Sequence, residues 1–137
     1  MNIQLFTDYK DIAQCDFEVV ERKGRGHPDT LSDRLAELLS KTYCEISRNE
    51  FGTILRHQFD KLTIMGGKCK VWFGGGTFIS PIRLLINGRA TPEVGEKKLI
   101  YRERLIETAS NFLETELRNF DFLTNCRLMF EVTANTT

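Results

Sequence analysis

Leu31, Leu35, Leu38, Leu39, Thr42 and Ile46 recur at helical spacing and fall on one stripe, which predicts a helix over residues 29–48. Asp29 and Asp33 lie roughly opposite that stripe near the helix start. If the leucine face is buried, both carboxylates point away from the core, beside His27. Upstream, Phe17-Glu18-Val19-Val20 reads as a short strand. It ends in Gly24-Arg25-Gly26-His27-Pro28, where two glycines and a proline break any regular element. Pro28 suits the first position of a helix, because its missing N–H would be unpaired there anyway.

Three strand-like runs follow, at residues 62–65, 71–73 and 78–86, separated by Gly66-Gly67 and by Gly74-Gly75-Gly76. The third ends at Asn87-Gly88, a dipeptide that favours tight turns. A second helix is predicted over residues 99–118, with Tyr101, Leu105, Ala109, Phe112, Leu113 and Leu117 on one face, and a last strand over 127–132. The order β-α-β-β-β-α-β predicts an α+β fold: a mixed or antiparallel sheet with two helices packed on one face. Trp72 and the phenylalanines read most simply as core.

A chain of 137 residues suits one domain with a real core, so residues 1–137 are read as a single domain. Lysine plus arginine balance aspartate plus glutamate at 19 each, so no basic excess calls for a nucleic-acid or membrane partner. Basic density is local, at Arg22, Lys23 and Arg25. Cys15, Cys44, Cys69 and Cys126 are scattered with no C-x-x-C pair, which fits reduced thiols better than a zinc site or a disulfide framework. Asp8, Lys10 and Asp11 stand where a signal peptide would be apolar, and no stretch has the apolar length of a membrane helix. A soluble cytoplasmic protein is therefore expected.

Chemistry concentrates in Glu21-Arg22-Lys23-Gly24-Arg25-Gly26-His27-Pro28-Asp29. A glycine-rich turn into a helix start offers free backbone N–H groups, and the helix dipole favours an anion there. Three basic side chains and a histidine add charge suited to a polyphosphate. Glu21 and Asp29 supply the hard oxygen ligands that Mg2+ prefers when it bridges protein and phosphate. On physics alone a plain loop, with Asp29 only a helix-start carboxylate, fits equally well. Gly66-Gly67 and Gly74-Gly75-Gly76 admit two readings as well: close approach of backbone to a ligand, or hairpin turns.

The string E-R-K-G-x-G-H-P-D, followed by D-x-x-A-E from Asp33, is similar to the opening signature of archaeal-type methionine adenosyltransferases. These enzymes make S-adenosylmethionine from ATP and L-methionine. Later strings match in the same order: Phe51-Gly52-Thr53-Ile54-Leu55, His57 with Asp60, Gly66-Gly67, Phe73-Gly74-Gly75-Gly76, Ser80-Pro81-Ile82 and Gly88-Arg89-Ala90-Thr91. The likeness weakens through the second helix and revives at Cys126-Arg127.

The resemblance implies that His27 contacts the triphosphate and assists its departure, with Lys23, Arg25 and Gly26 beside it. It implies that Glu21 and Asp29 bind Mg2+, with K+ a further candidate cation. Asp33 matches an aspartate of the family without an assigned role. Arg56 replaces a first histidine, and Gln58 and Lys61 also differ, so His57 and Asp60 are read either as structural or as ligand contacts.

Family members are three-domain chains with active sites formed between two subunits. Here Leu128-Met129-Phe130-Glu131-Val132 replaces the family's glycine-rich stretch, and the later residues that complete the ATP and methionine sites have no counterpart. Three readings follow: one subunit of a split enzyme whose partner chain carries the missing domains; a silent nucleotide-binding or regulatory relative; or a minimal self-assembling enzyme acting on a nucleoside triphosphate. Packing does not explain the retained Glu21, His27 and Asp29, which argues against the silent relative. Ile64, Val71, Phe73, Ile79 and Leu85 offer apolar surface beyond what two helices cover, so a homo- or hetero-oligomer is expected.

Overall fold

The computed structural model describes residues 3–5, 7 and 10–135. Its longest element is helix α1, Pro28–Phe51, which starts at the proline and buries Leu31, Leu35, Leu39, Thr42, Tyr43 and Ser47. It ends at Gly52, whose φ of 72° is the left-handed conformation common at helix ends and whose N–H bonds back to Arg48. Helix α2, Arg102–Glu116, buries Leu105, Ala109 and Leu113. The helices run antiparallel: Arg34 meets Glu116 at one end, and the Thr42 and Thr108 hydroxyls meet at 3.2 Å further along.

The sheet is built on a long central strand. Chain order gives β1 (His57–Gln58), β2 (Thr63–Met65), β3 (Lys68–Trp72), β4 (Gly75–Ser80), β5 (Ile82–Ala90), β6 (Glu93–Val94), β7 (Lys97–Lys98) and, after α2 and the short α3 (Phe122–Asn125), β8 (Cys126–Ala134). β8 pairs in parallel along all of β5, from Ile82↔Cys126 to Ala90↔Ala134. That leaves the other edge of β5 to β2 and β1, both antiparallel. Alternation along β5 turns Leu84, Ile86 and Ala90 into the core with Ile64 opposite Leu84, where they meet the leucines of α1 and α2. The expected α+β fold, with a mixed sheet and two main helices packed on it, is what forms. Among the described residues, no helix is long and apolar enough to cross a membrane.

Several local expectations are corrected. Residues 17–20 form no strand; they run exposed, with no ladder partner among the described residues. The run 78–86 is two strands divided at Pro81, where the chain leaves the β3–β4 hairpin and enters the main sheet. Asn87-Gly88 makes no turn but continues β5, paired with Glu131 and Val132. Gly88 is required for another reason: its φ is 155°, and a Cβ there would lie 2.0 Å from the Gln58 carbonyl oxygen. Phe17, Trp72 and Phe73 are exposed, whereas Phe59, Phe120 and Phe122 join the core. Of the apolar positions assigned to an uncovered surface, Val71, Phe73 and Ile79 are exposed and Ile64 is buried. The short α3, capped by Asp121 on the Thr124 N–H, is too brief to show a period in sequence.

Candidate functional site

The head of α1 is built by a short reversal of the chain. His27 N–H donates to the Gly24 carbonyl at 3.1 Å, closing a four-residue turn, and the His27 carbonyl accepts the first helical bond from Leu31 at 3.0 Å. His27 itself is the N-cap: its backbone is extended and its Nδ1 accepts the Asp29 N–H at 3.2 Å. A ring nitrogen thus does what a serine or aspartate oxygen usually does at this position. An accepting Nδ1 places the proton of neutral imidazole on Nε2, leaving an N–H donor on the far side of the ring. A Cβ added at Gly24 or Gly26 would meet nothing within 4 Å, so the turn is open to a ligand on that side.

The charged side chains around this turn are paired in a definite way. Lys23 and Asp29, one on each side of the turn, form an ion pair with both side chains more than half exposed. The hydrogen bond from Lys23 is the main cause holding the Asp29 carboxyl below its ordinary pKa. Arg25 reaches Glu116, at the end of α2, with Nη2 3.3 Å from both carboxylate oxygens. Glu116 is also gripped by Arg34 through two bonds of 2.6 and 2.8 Å. The Arg34 guanidinium lies 5.2 Å from the centre of the Phe112 ring, which steadies it from α2. These arginines, Arg34 first, bring the Glu116 carboxyl down to about 2. A carboxylate at a helix C-terminus opposes the dipole, so the two guanidiniums also offset an unfavourable position.

The structure therefore gathers Lys23, Arg25, Gly26, His27 and Asp29 at one helix head, with Glu21 exposed in the irregular chain that leads into it. Asp29 and Asp33 are both exposed, facing away from the leucine stripe as the helical spacing requires. Among the described residues no three His, Cys, Asp or Glu side chains converge on one metal position. Glu21 and Asp29 are exposed hard-oxygen donors of the kind Mg2+ takes when it is shared with phosphate oxygens.

His57 is not part of this cluster. Its Nε2 meets the Ser40 hydroxyl at 2.8 Å, its Nδ1 meets the Leu55 carbonyl at 2.9 Å, and its ring lies 4.6 Å from that of Tyr43. Both nitrogens are used inside the chain, and Ser40 sits three turns along α1, roughly 18 Å from its head. Asp60 pairs with Lys61 at 3.0 Å and shares a shallow hollow with Asp33. Glu116 was invisible to motif reading. It lies 91 positions from Arg25, in the helix where the resemblance is weakest, and only the antiparallel packing of α1 and α2 brings it to the turn.

A polar, glycine-rich turn thus opens α1, ringed by cations and carboxylates on an α+β domain. Comparison with known proteins makes the assignment specific: residues 2–137 match the family described as S-adenosylmethionine synthetase (AdoMet synthetase), and the chain belongs to that family. It is 38% identical over 131 residues to the S-adenosylmethionine synthase of Methanocaldococcus jannaschii, covering 88% of this chain and 32% of that one. It is 41% identical over 113 residues to a probable S-adenosylmethionine synthase of Aquifex aeolicus, covering 82% of this chain and 28% of that one. With the synthase of Methanothrix thermoacetophila the identity is 42% over 116 residues, covering 85% and 29%. The chain thus spans about a third or less of the length of these relatives.

Proposed function

We propose that this chain supplies the triphosphate- and magnesium-binding part of a site that makes S-adenosylmethionine from ATP and L-methionine. The observation that carries the reading is the helix head itself. His27, Lys23, Arg25 and Asp29 surround one open glycine turn in a member of the synthetase family. In the proposed reaction the methionine sulfur forms a bond to ribose C5′ while the C5′–oxygen bond breaks. The bonding electrons leave with the triphosphate, and the sulfur becomes a sulfonium. No proton need be removed from the nucleophile, so the protein's task is to orient the reactants and to meet charge growing on the leaving group.

His27 serves as a hydrogen-bond donor through Nε2, because its Nδ1 is occupied as the cap. Lys23, Arg25 and the positive end of the α1 dipole supply positive potential. Glu21 and Asp29 would hold Mg2+, which would share the phosphate charge. The methionine pocket and the rest of the nucleotide site are contributed by further protein, in a homo- or hetero-oligomer or from a partner chain carrying the remaining domains. The exposed Val71, Phe73 and Ile79 of the β3–β4 hairpin support such an assembly. A monodisperse monomer at micromolar concentration contradicts that part.

The test is calorimetric titration with ATP in Mg2+ buffer, paired with mass-spectrometric detection of S-adenosylmethionine when methionine is added. His27→Ala is expected to weaken ATP on the order of tenfold, the worth of one hydrogen bond to a charged group, and to abolish any product. Asp29→Asn is expected to weaken Mg2+-dependent binding while leaving the melting temperature nearly unchanged. ATP affinity unchanged in both variants refutes the proposal.

A further inference from the structure

Lys23 and Asp29 are each assigned a ligand, yet without one they hold each other. The Asp29 Oδ2 and the Lys23 N–H that face each other are not offered to a ligand until the pair opens. The two cations of the turn differ in what they would leave behind. Glu116 is already gripped through two bonds by Arg34, so Arg25, its side chain 82% exposed, can move to a phosphate without stranding a carboxylate. Lys23 has no such substitute: Asp29 sits at the turn to which the polyphosphate is assigned, and its freed negative charge would repel that anion. Only another cation on Asp29 removes the penalty. The pair is exposed on both sides and hence weakly held, and Asp29 is fixed by its N–H bond to His27, so exchange needs only side-chain motion.

We propose that Lys23 is an internal counter-ion of Asp29, exchanged for a divalent cation when a polyphosphate binds, so that the released ammonium passes to the phosphate. The inference rests on the assignment of both ligands to this turn. It makes Lys23 a competitor of the metal and an ally of the polyphosphate. Loss of Lys23 therefore strengthens the metal by more than loss of a neighbouring positive charge does, while it weakens the polyphosphate.

The test uses Mn2+ as the metal probe, with free Mn2+ counted by electron paramagnetic resonance, and calorimetry with tripolyphosphate in Mg2+ buffer. Lys23→Gln is expected to bind Mn2+ alone about two- to fivefold more tightly, the worth of an exposed ion pair, and to bind tripolyphosphate with Mg2+ more weakly. Arg22→Gln removes the same charge next door but no partner of Asp29; it is expected to raise Mn2+ affinity less. Mn2+ affinity that is unchanged or lower in Lys23→Gln, or matched by Arg22→Gln, overturns the exchange. Wild-type protein that binds no tripolyphosphate in Mg2+ overturns instead the site assignment on which it rests, so the two failures are distinct.

Discussion

Replacing Ser47 by alanine tests how α1 is tied to the chain that follows it. Ser47 is fully buried; its hydroxyl donates to the Thr53 carbonyl at 2.9 Å and accepts the Leu55 N–H at 2.7 Å. The side chain thereby fastens the segment that reverses direction after Gly52 and leads into β1. Alanine removes both bonds. Thr53 is exposed and its carbonyl can turn to water, but the Leu55 N–H is half-buried and loses its partner. One net hydrogen bond plus the desolvation of one orphaned donor gives a loss of about 2–3 kcal/mol. For a domain of this size that corresponds to a fall of roughly 8–12 °C in melting temperature. Urea denaturation is the assay, with the midpoint expected to fall at unchanged m-value. Ser47 lies about 28 Å along α1 from its head at 1.5 Å per residue, so Mg2+-tripolyphosphate affinity measured well below the new transition is expected to stay the same. A stability loss below about 0.5 kcal/mol would refute the reasoning, since it would mean that water replaces both bonds.

Leu35→Ala removes a side chain with no exposure from the centre of the core and is expected to cost about 3 kcal/mol, read from the same denaturation curve. Gly88→Ala places a Cβ 2.0 Å from the Gln58 carbonyl oxygen at a φ of 155°, so β1 must separate from β5. Hydrogen exchange at residues 57–58 is expected to accelerate, and unchanged exchange counts against the close approach. Glu116 carries a pH signature: its pKa is about 2 in the fold against an ordinary 4.5, so its stabilising contribution is complete above pH 4.5 and lost as pH falls toward 2. Between those limits the wild type is expected to lose stability more steeply than Glu116→Gln, and parallel melting-temperature curves contradict the assignment.

What could be read from the sequence depended on whether the deciding contact was local. α1 was legible because Leu31, Leu35 and Leu39 repeat at the helical period and Pro28 marks its first residue. The strand expected at residues 17–20 failed because apolar, β-branched composition makes a strand only where a ladder partner exists. At Asn87-Gly88 the turn preference was overridden by the unbroken parallel pairing of β5 with β8, a contact across more than forty residues. Phe73 and Trp72 looked like core by type, but the hairpin that carries them lies off the main sheet. The composition of the helix head was readable, and so was its position before α1. Which carboxylate each cation would hold was not: Lys23 chose Asp29 through the turn between them, and Arg25 found Glu116 only through helix packing.

Amide chemical shifts of the 15N-labelled protein test most directly whether the turn at the head of α1 is the polyphosphate site. On titration with tripolyphosphate in Mg2+, the largest shifts are expected at Gly24, Gly26, His27, Asp29 and Thr30, and they are expected to shrink when Mg2+ is withheld. Largest shifts at Gly74, Gly75 and Gly76 of the hairpin, or none at the helix head, would contradict the account.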